Sequence, residues 1–304
     1  MRQGYRKQAE LLLEILPEIA KLSCFALHGG TAINFFVRDM PRLSVDIDLT
    51  YTLLEDRNTS LNNINQALAG IKNGIESKKR DMRIVHQQDV CKLLISRAGV
   101  QVKIEVNMVK RGIIALPEQL ELCPRAQSEF NAFCSMRLVP ISQLYGGKIC
   151  AALGRQHPRD FFDLNPFMDK EGFFTDIKPG FLYSLLCSDR PMYELLAPQL
   201  RDRRDIFENQ FEGMSREPFS YEEYEEARNK LISMINTSLT DEDKNFLLHA
   251  DNVEPDWSFY AFEQFPAVQW KLQNLKKLRD TNPDKHKKQH ILLTNALSGN
   301  FSKT

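Results

Sequence analysis

The sequence has no apolar run near the roughly 18 consecutive residues a membrane-spanning helix needs, so no spanning segment is expected. It also lacks any C-x-x-C pair. Its cysteines, Cys24, Cys91, Cys123, Cys134, Cys150 and Cys187, are scattered and no histidine is placed to complete a zinc site, so reduced thiols are expected rather than a disulfide framework or structural zinc. Neither charge is in excess: 40 basic and 40 acidic residues cancel, so any contact with a polyanion must come from local clusters. Met1 to Ala20 hold neither an uninterrupted apolar stretch nor a small-residue cleavage site. Secretion is therefore not expected, and the expected location is cytoplasmic, with no membrane partner. Internal repeats and low-complexity tracts are absent.

What is present is a chain of 304 residues, 42% hydrophobic, long enough for two domains. The composition changes over residues 165–180, where NPFMDKEGFFTDIKPG interrupts the periodic segments. The expected division is a mixed α+β domain over residues 1–168 and a helical domain over residues 169–304. Residues 5–22 place Leu12, Ile15, Leu16, Ile19 and Leu22 on one side of an opening helix. CFALHGGTAINFFVRD reads as strand, tight turn and helix, with Thr31 placed as a cap. SVDIDLTY alternates apolar and acidic residues with the period of a strand. Residues 57–80 read as helix, and HQQDVCKLLISRAGVQVKIEVNMVK as two strands joined at Ala98 and Gly99, with Val102, Ile104 and Val106 facing away from Lys103 and Glu105. From Ile141 a helix is expected to about Gly154, then a proline-bearing loop and a helix from about Arg159. Beyond it most segments favour helix, Thr240 opening one of them, and the tail past Asp280 is expected to be mobile.

The chemistry concentrates in a few places. Asp46 and Asp48 lie two apart on a strand, so both carboxylates leave one face about 6–7 Å apart at the backbone. Magnesium is usually held by one or two such carboxylates together with substrate phosphates, and two metals could serve an in-line phosphoryl displacement. Glu105 is the candidate third acid, the only one in its strand. An isolated D-x-D is more often a solvated strand face. Here it follows HGGT, a strand-to-helix turn where Gly29 and Gly30 allow close backbone approach and the helix start offers N–H groups to a triphosphate. An ordinary tight turn is the plainer reading of that glycine pair alone.

Lys148 follows Gly146 and Gly147 on an expected helix and could reach β and γ phosphates, or simply face solvent. Asp160 and Asp163, with Arg155 and Arg159, could orient Lys148 or the nucleotide, or form a surface ion-pair cluster. His28 and His157 receive no catalytic role. YEEYEE reads as a solvated helix face, and the surroundings of Trp257 and Trp270 as core. Two basic clusters, KKRDMR at 78–83 and the stretch from Lys271 to Lys288, could contact RNA, with solubilising surface the plainer reading.

With HGGTAINFF, RLSVDIDLTY, YGGKICAALGRQHPRDFFDL and FPAVQWKLQNL in this order, the chain resembles the AbiEii/AbiGii toxin family over about residues 20–275. That family lies within the DNA polymerase β-like nucleotidyltransferase superfamily. The resemblance implies a small mixed sheet backed by helices, followed by a helical C-terminal domain. It also implies a type IV toxin with a cognate antitoxin, a role in phage defence, and transfer of a nucleoside monophosphate from a nucleoside triphosphate to the 3′ end of tRNA, blocking translation. Carried over by position, Gly30 and Thr31 match the glycine-hydroxyl motif, Asp46 and Asp48 the metal-binding pair, Lys148 the lysine motif and Asp160 the later aspartate, with Asp163 as its substitute. The expected cofactor is Mg2+ or Mn2+ held by Asp46 and Asp48, with Glu105 where the superfamily commonly has aspartate. The expected catalytic set is Asp46, Asp48, Lys148 and Asp160, and the nucleotide-binding set Gly29, Gly30, Thr31 and Lys148. Two rivals remain: a nucleotidyltransferase acting on a small molecule or a protein hydroxyl, and a non-catalytic protein of the same fold that binds nucleotide or RNA.

Overall fold

The computed structural model describes residues 3–299. Its backbone contacts gather into two compact units, one running to Leu144 and including Gln210–Pro218, the other comprising Tyr145–Asn209 and the chain from Phe219 onward.

The first unit opens with α1 (Gln3–Ala20), which buries Leu12, Ile15, Leu16 and Ile19 as the helical spacing requires, while Leu22 lies past its end. Then follow β1 (Phe25–His28), the short α2 (Gly29–Ala32) running into a π-helical turn Ile33–Val37, and β2 (Asp46–Tyr51). α3 (Arg57–Lys78) is capped by Asp56, whose carboxylate accepts from the amides of Asn58 and Thr59. β3 (Arg83–Gln87), β4 (Lys92–Arg97), β5 (Val100–Val106), β6 (Glu118–Glu121), α4 (Pro124–Phe130) and β7 (Ser135–Leu138) complete the unit's regular elements before α5 begins at Ile141.

Among the described residues the seven strands form one sheet in the order β3-β4-β5-β2-β1-β7-β6. It is mixed: β2 pairs parallel with β5, and β1 with β7, while the other neighbours are antiparallel. The alternation within the strands decides which face is wet. Ile47, Leu49, Leu93, Ile95, Val102, Ile104 and Val106 are all buried, on the side where α1 packs against β5 and α3 against β3 and β4. The residues between them on β2 and β5, Asp48, Lys103 and Glu105, carry charge and point the other way. The loop 38–44 is pinned by the returning segment, since Leu43 N–H donates to Met214 (3.1 Å) and Arg216 N–H to Pro41 (2.8 Å).

The second unit holds most of α5 (Ile141–Arg155) and then α6 (Pro158–Leu164), α7 (Phe173–Leu186), α8 (Met192–Leu196), the single turn α9 (Arg204–Ile206), α10 (Tyr221–Ser238), α11 (Asp241–Asp251), α12 (Pro266–Thr281) and α13 (Pro283–Leu297). Capping boxes start two of these: Ser220 with Glu223 on α10, and Thr240 with Asp243 on α11. The tail beyond Asp280, expected to be mobile, is instead helical to Leu297, with Asn282 capping the amide of Lys285 and Leu293, Ala296 and Leu297 buried. Trp270, expected in the core, is 58% exposed. The chain first passes from one compact unit to the other at Leu144/Tyr145, upstream of the composition change at 165–180. Among the described residues no helix is long and apolar enough to cross a membrane. All six cysteines are free thiols, and burial pushes Cys134 up to about 11.

Candidate functional site

β1 ends at His28, and the chain turns at Gly29 with φ of +72°, a left-handed conformation that suits glycine. A Cβ built there would stand 2.5 Å from Asp48 Oδ2, so a carboxylate of D-x-D packs directly against the turn. At Gly30 a Cβ would meet Arg42 Nη2 at 2.8 Å and Ser44 Oγ at 3.2 Å. Arg42 is buried, and it donates to the carbonyl of Leu43 at 2.9 Å. Thr31 is buried as well; its hydroxyl lies 2.9 Å from Ser44 Oγ and also bonds the carbonyl of Asp46. The hydroxyl therefore ties the turn to the first residue of D-x-D. The π-helical turn follows at once, and Asn34 Nδ2 donates to the Gly30 carbonyl at 2.9 Å. HGGT and D-x-D, linked in the sequence only by order, are in contact in space.

Strand register extends the site sideways. His28 stands opposite Asp48, Asp48 beside Glu105, and Glu105 opposite Lys92, so β1, β2, β5 and β4 contribute one transverse row. In the next row Asp46 stands beside Lys103. Lys103 Nζ is 2.7 Å and Lys92 Nζ 3.5 Å from Glu105 Oε2. Burial works against the Lys103 ammonium, but its hydrogen bond to Glu105 and the charges of Asp46, Glu105 and Asp48 outweigh it and raise its pKa. Burial likewise pushes the Glu105 carboxyl up, and Lys103 and Lys92 more than reverse this. Glu105 is thus engaged with two ammoniums. Among the described residues no group of three or more His, Cys, Asp or Glu side chains is arranged to hold a metal ion. The donors that suit a hard divalent cation are Asp46 and Asp48, two carboxylates on one strand face, and such a cation completes its shell with phosphate and water. His28 Nδ1 lies 3.3 Å from Thr50 Oγ1.

The second unit holds the other residues singled out in the sequence. Lys148, on α5, is buried, so it is no solvent-facing lysine. Its Nζ lies 3.0 Å from Asp160 Oδ1 and 3.0 Å from Asp163 Oδ2, both carboxylates being wholly buried on α6. Arg155 adds a two-pronged contact to Asp160, Nε to Oδ2 at 2.6 Å and Nη2 to Oδ1 at 2.8 Å. Burial opposes ionisation of Asp160, yet Lys148 and Arg155 hold its carboxyl well below the usual range. Asp160 and Asp163 therefore act together on one ammonium in a buried network, not as a surface cluster. His157 caps α6, its Nδ1 accepting from Arg159 N–H at 3.2 Å. Gly146 has a packing reason, since a Cβ there would stand 2.2 Å from the carbonyl carbon of Gly180 on α7.

Sequence reasoning did not single out Arg42, Ser44, Lys92 or Lys103. Period-two alternation already put Lys103 on the side of Glu105, but only the register sets it against Asp46. The basic cluster at 78–83 is partly spent on α1, with Lys78 paired to Glu18 and Lys79 to Glu14.

A family model described as "Nucleotidyl transferase AbiEii toxin, Type IV TA system" matches residues 10–274. No curated protein matches the chain. Among solved structures, MenT4, a nucleotidyltransferase toxin from Mycobacterium tuberculosis H37Rv, superposes with a TM-score of 0.61 at 12% identity, covering 90% of this chain and 93% of that one. At that identity the likeness speaks for the fold, which is the mixed sheet with helices described above.

Proposed function

The chain belongs to the AbiEii family of nucleotidyltransferase toxins of type IV toxin–antitoxin systems, which makes it a nucleotidyltransferase with an antitoxin as implied partner, and from that premise we propose that it transfers a nucleoside monophosphate to the 3′ hydroxyl of tRNA and so blocks translation. The observation that carries the site assignment is the packing of the Asp48 carboxylate against the Gly29 turn. That contact supports reading the glycine turn and Asp48 as parts of one site.

In this reading Asp46 and Asp48 hold Mg2+ or Mn2+, and Gly29 and Gly30 let the triphosphate approach the backbone, with Thr31 fixing the turn. The metal would supply charge neutralisation of the phosphates and a lower barrier to deprotonating the incoming hydroxyl. Lys148, which matches the family's lysine motif, is paired with Asp160 and Asp163 within the second unit. The acceptor O3′ forms a bond to the α phosphorus, the bond from that phosphorus to the bridging oxygen breaks, pyrophosphate departs and the hydroxyl proton passes to solvent. Positioning and electrostatic stabilisation do most of what is required, because phosphoryl transfer asks little covalent help of protein.

The test is incubation of the purified protein with magnesium, each labelled nucleoside triphosphate in turn and total tRNA, beside the Asp46→Ala/Asp48→Ala double variant. Label should enter tRNA with the intact protein and fall by at least a hundredfold in the variant. Transfer that survives loss of both aspartates would sink the assignment. Label entering a small molecule or a protein, and not tRNA, would overturn the acceptor.

A further inference from the structure

The charged face of the sheet continues past D-x-D. On the side of Asp48 away from the glycine turn, β5 and β4 bring Lys103, Glu105 and Lys92 together, two ammoniums around one carboxylate. The trio carries a net positive charge and is accessible, the three side chains being 34%, 39% and 22% exposed in that order. All three side chains leave the sheet on the face opposite its buried residues Leu93, Val102, Ile104 and Val106.

The direction matters as much as the charge. Gly29 and His28 lie on the β1 side of Asp48, and Glu105 and Lys92 on the β5 and β4 side. In an in-line displacement the attacking and leaving oxygens stand on opposite sides of the phosphorus. With the leaving phosphates over the glycine turn, the β5 and β4 side of Asp48 is the opposite side of the site, open to an acceptor approaching in line. An acceptor that is the 3′ end of a nucleic acid brings phosphodiester charge with it, and lysine ammoniums are ordinary partners for such charge.

We propose that Lys103 and Lys92, gathered by Glu105, form the acceptor subsite and bind the phosphodiester backbone next to the reacting 3′ end of the RNA. This rests on the RNA-acceptor reading above. Glu105 is then a positioning residue that spaces the two ammoniums, not a metal ligand.

The experiment compares the intact protein with Lys103→Met, Lys92→Met, the Lys103→Met/Lys92→Met pair, Lys103→Arg and Glu105→Gln, each first checked for an unchanged thermal melt. Fluorescence anisotropy of a labelled acceptor-stem RNA with a single-stranded 3′ end is read across a salt series, and transfer rates are read while RNA and nucleotide are varied separately. Each lysine-to-methionine change should reduce the magnitude of the salt slope by about one and raise the KM for RNA severalfold without raising that for nucleotide. Lys103→Arg should restore binding, and Glu105→Gln should raise the KM for RNA without changing the magnesium requirement. Unchanged RNA affinity and salt slope in the double variant would overturn the proposal, as would a rise confined to the KM for nucleotide. A protein that binds RNA through these lysines yet transfers nothing to it would leave the subsite standing and remove the acceptor reading; one that transfers to RNA equally well without them would do the reverse. Absence of any RNA binding by the intact protein would end the proposal.

Discussion

Gly29 is where the turn and the acid depend on each other most closely. Its backbone has φ of +72°, and the space a Cβ would fill belongs to Asp48 Oδ2 at 2.5 Å. Gly29→Ala should therefore strain the turn by about 1 kcal/mol or more and push Asp48 aside. The expected result is a melt lowered by a few degrees and transfer activity reduced by about a hundredfold, roughly 2.7 kcal/mol of transition-state stabilisation. Activity close to that of the intact protein would show that Asp48 need not sit where it does. Asp46, Asp48 and the glycine pair stand out because each obeys a local rule, two carboxylates at strand period or two glycines at a strand-to-helix turn. Lys103 follows the strand period onto the face of Glu105, but a single strand lysine signals no chemistry by itself, and neither does Lys92. They acquire meaning only from which strand lies beside which, and register is a long-range property.

At the scale of elements, the long periodic segments were readable and the short polar ones were not. α1, α3, α5 and the β4–β5 hairpin follow their apolar spacing. β3, β6 and β7 went unread because Arg83–Gln87, Glu118–Glu121 and Ser135–Leu138 are only four or five residues long and mix charge with apolar side chains, so their pairing partners decide the outcome. α13 was read as a polar tail because its few buried residues, His286, Leu293, Ala296 and Leu297, are sparse among lysines. Helix packing also explains a glycine that sequence reading attached to Lys148. Gly146 on α5 lets the backbone of α7 approach so that a Cβ would lie 2.2 Å from Gly180 C and 2.3 Å from Phe181 N. No rotamer change can relieve a clash with backbone. Gly146→Ala should destabilise the protein by about 1–3 kcal/mol or more, as overpacking does, and show as a lowered urea midpoint. A midpoint unchanged from the parent would mean that α5 and α7 can separate at little cost.

At the scale of the whole molecule, length and apolar content predicted two parts, and the mixed sheet with helices followed from motif order and the resemblance it carries. Stability against pH belongs to this scale, and buried groups of both units contribute to it. Lys271 Nζ donates to the carbonyl of Ser188 at 2.9 Å and to that of Arg190, and burial pushes its pKa down to about 8 despite nearby carboxylates such as Asp251. In the unfolded chain a lysine titrates near 10.4, so above pH 8 the unfolded state binds the extra proton. A state that binds more protons is disfavoured as pH rises, so this group should make the protein more stable by up to about 1.4 kcal/mol for each pH unit between about 8 and 10. Asp160 acts at the other end with the opposite history: its depressed carboxyl contributes stability that is complete above the unfolded value near 4 and is lost only as pH falls below it. Cys134, raised by burial to about 11, turns against the fold from about pH 8.5, and Tyr183 and Tyr260, also raised by burial, do so from about pH 10, so slopes of opposite sign overlap in the alkaline range. Urea midpoints taken from pH 7.5 to 9.5 should therefore rise more, or fall less, in the parent than in Lys271→Met, where the slope from this group is gone. Parallel profiles for the two proteins would show that the Lys271 ammonium is as well solvated in the fold as in water.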